Sequence, residues 1–125
     1  MSRNIELTRA FIAAWERRDI EAIIGACAED IFYHNIPTDP MIGPAAMRQF
    51  AEPFLRGCDH VAWDLLSIAE TPAGVVLTER VDRFELKNGK RIALPVMGAF
   101  AFDGAGKLTQ WRDYFDMAQF QKQMA

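Results

Sequence analysis

Cysteine is scarce in this 125-residue chain: there are two, Cys27 and Cys58, without the C-x-x-C spacing of a metal or redox site. Two isolated thiols in a reducing compartment read as small buried or half-buried side chains, not as a disulfide. Histidine is as sparse. His34 and His60 stand far apart, and on a strand His34 faces away from Tyr33 and Asn35, which disfavours a histidine-built metal site or nucleophilic triad. No basic cluster exceeds a pair, and with 14 Lys and Arg against 17 Asp and Glu the net charge is −3, so a phosphate backbone has no electrostatic partner. No nucleic-acid partner is expected. Nowhere do roughly 18 apolar residues follow one another, and MSRNIELTRAF holds no uninterrupted apolar run, so neither a membrane span nor a secretion signal is expected. The cytoplasm is the expected compartment. Gly104-x-Gly106 lies between strand-like segments and not before a helix, which makes it a turn and not a phosphate cradle. No cofactor motif is present; no cofactor and no metal are expected.

What is there is an ordinary globular mixture, 50% hydrophobic and 25% charged. At about 150 residues per domain, residues 1–125 read as a single domain. Over residues 4–15 the apolar positions Ile5, Leu7, Phe11, Ile12 and Trp15 recur at steps of three and four, the stripe of an amphipathic helix that Ser2 can cap. Asp19 precedes a second helical stretch, as an N-cap accepting from free first-turn amides should. Residues 31–36 read as a strand stopped by Pro37-Thr38-Asp39-Pro40. Gly43-Pro44 opens a third helix over 45–55, with Pro53 fraying its end.

From Val61 onward the period changes to two, and extended segments are expected at 61–69, 75–86, 91–102 and 107–115, joined by hairpin turns at Asn88-Gly89 and residues 103–106. Pro95 conflicts with its strand and calls for an edge, a bulge or a kink. Residues 117–124 close the chain as a short helix. Helices first and a meander afterwards indicate α+β, helices on one face of a curved sheet.

Strand alternation sorts residues onto faces. One face of 75–86 carries Val76, Thr78, Arg80, Asp82, Phe84 and Leu86, a charge pair bracketed by apolar groups. One face of 107–115 carries Thr109, Trp111, Asp113 and Phe115, leaving Leu108 on the other. In 31–36, Tyr33 and Asn35 share a face with Ile31. Singly, each feature has a structural reading: an i, i+2 ion pair, a turn-capping aspartate, a half-buried tyrosine. Jointly they place charge where a helix-covered sheet must bury apolar surface, and an unpaired charge there costs several kcal/mol. Arg80 can bridge Asp82 and Asp113 with its planar fork. Two carboxylates so close cannot both stay fully ionised, so one pKa rises while the arginine holds the other as a carboxylate. One acid and one base is the division that opposite proton transfers at neutral pH need.

Tyr33-x-Asn35 in FYHNIP, Arg80-x-Asp82 in ERVD, and WRDYFD from Trp111 to Asp116 resemble the limonene-1,2-epoxide hydrolase family of the NTF2-like, or SnoaL-like, superfamily. The resemblance spans nearly the whole chain, with the motifs in the family's order. It implies a cone: a strongly curved mixed or antiparallel sheet with helices packed into its concave side, dimerising through the outer face. It implies a cofactor-independent hydrolase whose partners are water and a small apolar epoxide. The proton-transfer trio lands on Asp82, Arg80 and Asp113, and the water-positioning pair on Tyr33 and Asn35. Trp111, Phe115, Phe84, Leu94 and Val96 are candidates for the apolar wall that orients the substrate. Two other readings stand beside this one. An isomerase or cyclase like ketosteroid isomerase or the polyketide cyclases would use a single aspartate base, and a non-catalytic ligand-binding dimer module would need none of the five polar groups.

Overall fold

A computed structural model describes residues 2–125. Ser2 caps α1 (Arg3–Glu16) by accepting from the Ile5 amide at 3.2 Å, and Asp19 caps α2 (Ile20–Gly25) by accepting from Ala22 at 3.1 Å. The apolar stripe of α1 delivers Phe11, Ile12 and Trp15 to the core, each at most 5% exposed. α3 (Pro44–Arg56) begins with Pro44 in its first turn behind Gly43, where a missing amide costs nothing. Pro53 does not fray the helix: it continues to Arg56, and the Pro53 carbonyl still accepts from Gly57.

Among the described residues six strands form one sheet in the order β2-β1-β6-β5-β4-β3, over β1 (Cys27–Ile36), β2 (Met41–Ile42), β3 (Cys58–Glu70), β4 (Val76–Leu86), β5 (Arg91–Phe102) and β6 (Leu108–Tyr114). All neighbouring pairs are antiparallel except β1 and β6, which run parallel. The hairpin turns fall where the glycines require them, Gly89 at φ 89° and Gly106 at φ 82°. β1 begins four residues earlier than alternation indicates, because the register slips between Cys27 and Phe32 and breaks the period. The two-residue β2 carries no periodicity of its own. Another slip, between Ala101 and Phe102, turns Leu108 inward to full burial instead of onto the outer face.

Pro95 does not bulge β5, whose pairing with β4 is unbroken from Phe100 to Arg91. β6 pairs with β5 only from Met97 onward. The Ala93 amide and carbonyl, which point to the same side as those of Pro95, bond the Gln123 side chain of α4 (Met117–Met124) at 2.6 and 3.0 Å. The missing donor therefore lies on a flank where the neighbouring strand has ended, a local edge inside a central strand. Both cysteines are free and buried, Cys27 with its thiol pushed up to about 11 by burial.

Candidate active site

The ladders align inward-facing side chains in rows across the sheet. One row runs Val76, Phe100, Trp111, Tyr33; the next runs Thr78, Gly98, Asp113, Asn35. Beyond it come Arg80 beside Val96, then Trp63, Asp82 and Leu94. Arg80 and Asp113 sit on β4 and β6, two strands and about 9.5 Å apart, so the arginine must cross β5 to reach the aspartate. It crosses at Gly98. A Cβ built on Gly98 would stand 2.5 Å from Asp113 Oδ1 and 2.6 Å from Arg80 Nη1, closer than any side chain allows.

Arg80 is 1% exposed and spends all five N–H groups inside the protein. Nε and Nη2 donate to Asp82 Oδ1 and Oδ2, each at 2.9 Å. Nη2 and Nη1 donate to Asp113 Oδ2 and Oδ1 at 2.8 and 3.2 Å, and Nη1 also donates to Thr78 Oγ1 at 3.1 Å. Its guanidinium carbon stands 4.6 Å from the centre of the Trp63 ring. Three charges are thus buried as one hydrogen-bonded unit, which offsets a desolvation cost no lone charge could bear. Arg80 is held cationic: burial opposes its charge, but Asp113 and Asp82 outweigh burial and raise its pKa.

The carboxylates differ. Asp82 is pushed up to about 6, first by burial, against the hydrogen bonds and charge of Arg80, with the negative charge of Asp113 adding to the rise. Asp113 Oδ1 accepts from two donors, Arg80 and the Trp111 indole at 2.9 Å, whereas Oδ2 accepts from one. Oδ2 therefore keeps a lone pair for an incoming proton. Tyr33 stacks on Trp111, ring centroids 4.0 Å apart. Burial and then the charge of Asp113 hold its hydroxyl well above the ordinary tyrosine range, against Asn35 and Arg80, so it stays a donor.

A model of the limonene-1,2-epoxide hydrolase catalytic domain matches residues 2–125. The chain belongs to that family. It is 29% identical over 109 residues to the epoxide hydrolase EphG of Mycobacterium tuberculosis, covering 86% of this chain and 70% of that one. The solved structure of an M. tuberculosis LEH-like epoxide hydrolase superposes with a TM-score of 0.76 at 30% identity, over 96% of this chain and 87% of the other. SalBIII, an epoxide hydrolase/cyclase-like enzyme of pyran ring formation in the polyether salinomycin, shares the fold with a TM-score of 0.84 at 16% identity, over 94% and 93%. The architecture is the NTF2-like, SnoaL-like α+β fold.

In this family member Asp82, Asp113, Tyr33 and Asn35 face one cavity of about 370 Å³, and Phe84, Leu94, Val96 and Phe115 supply part of its apolar wall. Trp111 does not. It lies beneath the cavity at 1% exposure, stacked between Tyr33 and Phe100, and its contribution there is the indole N–H on Asp113. Strand parity put Trp111 on the correct face but could not separate the wall from the layer under it. The wall also draws on Trp15, Phe50 and Phe54 from helices, on Trp63, and on Met41, Met117 and Phe120, none of which sorting the motif strands reaches. Strand alternation does not single out Thr78 or Gly98 either: Thr78 lies on the sorted face of its strand, but a strand threonine carries no distinguishing signal, and a strand glycine reads only as a weak point.

Proposed function

We propose that the chain hydrolyses small apolar epoxides to vicinal diols in one step, without a covalent enzyme intermediate. The observation that supports it most is the shared arginine: one Nη2 contacts Asp82 Oδ2 at 2.9 Å and Asp113 Oδ2 at 2.8 Å, while both carboxyls face the same aromatic cavity. A water held by Tyr33 and Asn35 gives a proton to Asp113 Oδ2 as its oxygen bonds an epoxide carbon. The carbon–oxygen bond of the ring breaks, and the departing oxygen takes the proton of Asp82. The diol leaves with the catalytic proton now on Asp113 and Asp82 ionised, and exchange with solvent resets the pair. Arg80 stays charged throughout and compensates whichever carboxyl is anionic. Phe84, Leu94, Val96 and Phe115 orient the substrate by apolar contact.

A single-aspartate isomerase or cyclase would leave the second carboxyl and its arginine without work, and a binding module would have no use for a divided pair of carboxyls. The test is diol formation from a panel of terpene, cyclic meso, styrene-type and fatty epoxides, with Asp113→Asn as control. Diol from one class, lost in the variant, supports the reading. Failure on the whole panel, with turnover of a ketosteroid or polyketide substrate instead, overturns it.

We further infer a homodimer through the outer sheet face and an intracellular setting that keeps both thiols reduced. Leu77, Met97 and Tyr114 present 43%, 53% and 49% of their surface on that face, and Met97 pairs directly with Tyr114.

A further inference from the structure

Thr78 is a buried threonine that touches no substrate space: it is 1% exposed and lies behind the cavity wall. Its hydroxyl both donates and accepts inside the protein. It donates toward the Gly98 carbonyl at 3.5 Å and accepts from Arg80 Nη1 at 3.1 Å. That second bond takes up the Arg80 N–H that points away from both carboxylates, the other four being divided between Asp82 and Asp113. The guanidinium is planar, so fixing one nitrogen fixes the direction of the whole fork. Gly98 lies between Thr78 and Asp113 in the same row, and a Cβ there would come within 3.0 Å of Thr78 Oγ1 as well as striking Arg80 and Asp113.

We propose that Thr78 is a positioning residue for epoxide hydrolysis, acting through Arg80: with the saddle left by Gly98, its hydroxyl sets the angle at which the arginine serves both carboxylates. This rests on Arg80, Asp82 and Asp113 being the proton-transfer machinery. Losing the hydroxyl leaves a buried guanidinium N–H without a partner and lets the fork rotate, so both proton transfers lose alignment together. The effect belongs in kcat, because Thr78 meets neither the substrate nor the cavity surface.

Thr78→Val and Thr78→Ser are compared by steady-state kinetics and by NMR titration of ¹³C-labelled aspartate carboxyls, the second readout needing no substrate. Thr78→Val is expected to lower kcat about 10²-fold, the cost of a misplaced catalytic group, with KM little changed. It is also expected to move the Asp82 titration upward, since a rotated fork gives up hydrogen bonds that favour the carboxylate. Thr78→Ser restores both. Where the valine variant does not fold, Thr78→Ala replaces it. A hydroxyl-free variant with wild-type kcat, with its loss confined to KM, with an unmoved Asp82 titration, or with a defect that serine does not restore overturns the proposal. If the wild type hydrolyses no epoxide, the functional reading fails on its own and the titrations alone decide whether Thr78 orients the fork.

Discussion

Two aspartates on one arginine differ in what surrounds them, and under the proposed mechanism that difference divides their work. Asp82 has its oxygens engaged by Arg80 alone, in a place dry enough to lift its pKa to about 6. The acid form is in place below that value and is lost as pH rises through it. The kcat/KM profile is therefore expected to fall above pH ~6 with a slope of one proton, a limb absent from Asp82→Asn. Asp82→Asn and Asp113→Asn should each lose a proton-transfer role worth roughly 10²–10⁴-fold while circular dichroism stays native; a double-digit percentage of wild-type rate in either contradicts its role. Asp113→Asn carries a second signature. The negative charge of Asp113 raises Asp82, so removing it should lower the Asp82 titration in NMR, and no movement would mean the carboxyls are electrostatically separate. At this scale the triad was legible because charges on apolar-flanked strand positions are costly enough to need each other. Thr78 and Gly98 were not, since what they do depends on a side chain crossing from β4 to β6 that no single strand reveals.

Elements hold these residues in register and close the cavity. β4, β5 and β6 fix the Thr78–Gly98–Asp113 row through ladder pairing, while α4 brings Met117 and Phe120 to the cavity wall. α4 depends on few bonds. Asp116 caps it by accepting from Ala118 and Gln119 at 2.9 and 3.2 Å, and Gln123 clasps Ala93 at its other end. Asp116→Ala should cost about 1 kcal/mol of stability and, by loosening the wall, raise KM while leaving kcat close to wild type. A kcat defect instead would place Asp116 in the chemistry. Helix caps and hairpin turns were readable because each is a local bargain between one side chain and a few amides. The slips at residues 28–31 and near Thr109 were not, because a bulge answers to the partner strand, and it is the second that sends Leu108 inward. Pro95 is intermediate: its conflict was visible, but that β6 stops short of it was not.

For the whole molecule, helices followed by strands already specified a sheet covered on one face. The parallel pairing of β1 with β6, which brings Tyr33 and Asn35 beside Trp111 and Asp113, joins segments nearly 80 residues apart and could come only from the folded chain. The uncovered face has its own consequence. Met97→Arg, placed among Leu77 and Tyr114, should give a monomer by sedimentation velocity where the wild type gives a dimer, and a monomeric wild type would contradict the inferred assembly. Under the proposed mechanism water activated by Asp113 attacks the epoxide itself, and a single turnover in ¹⁸O-water, enzyme in excess over limonene 1,2-epoxide or the best substrate of the panel, tests this. Label in the first diol formed and none in the protein is the expected result; unlabelled first-turnover diol, with ¹⁸O in an aspartate carboxyl, would contradict it.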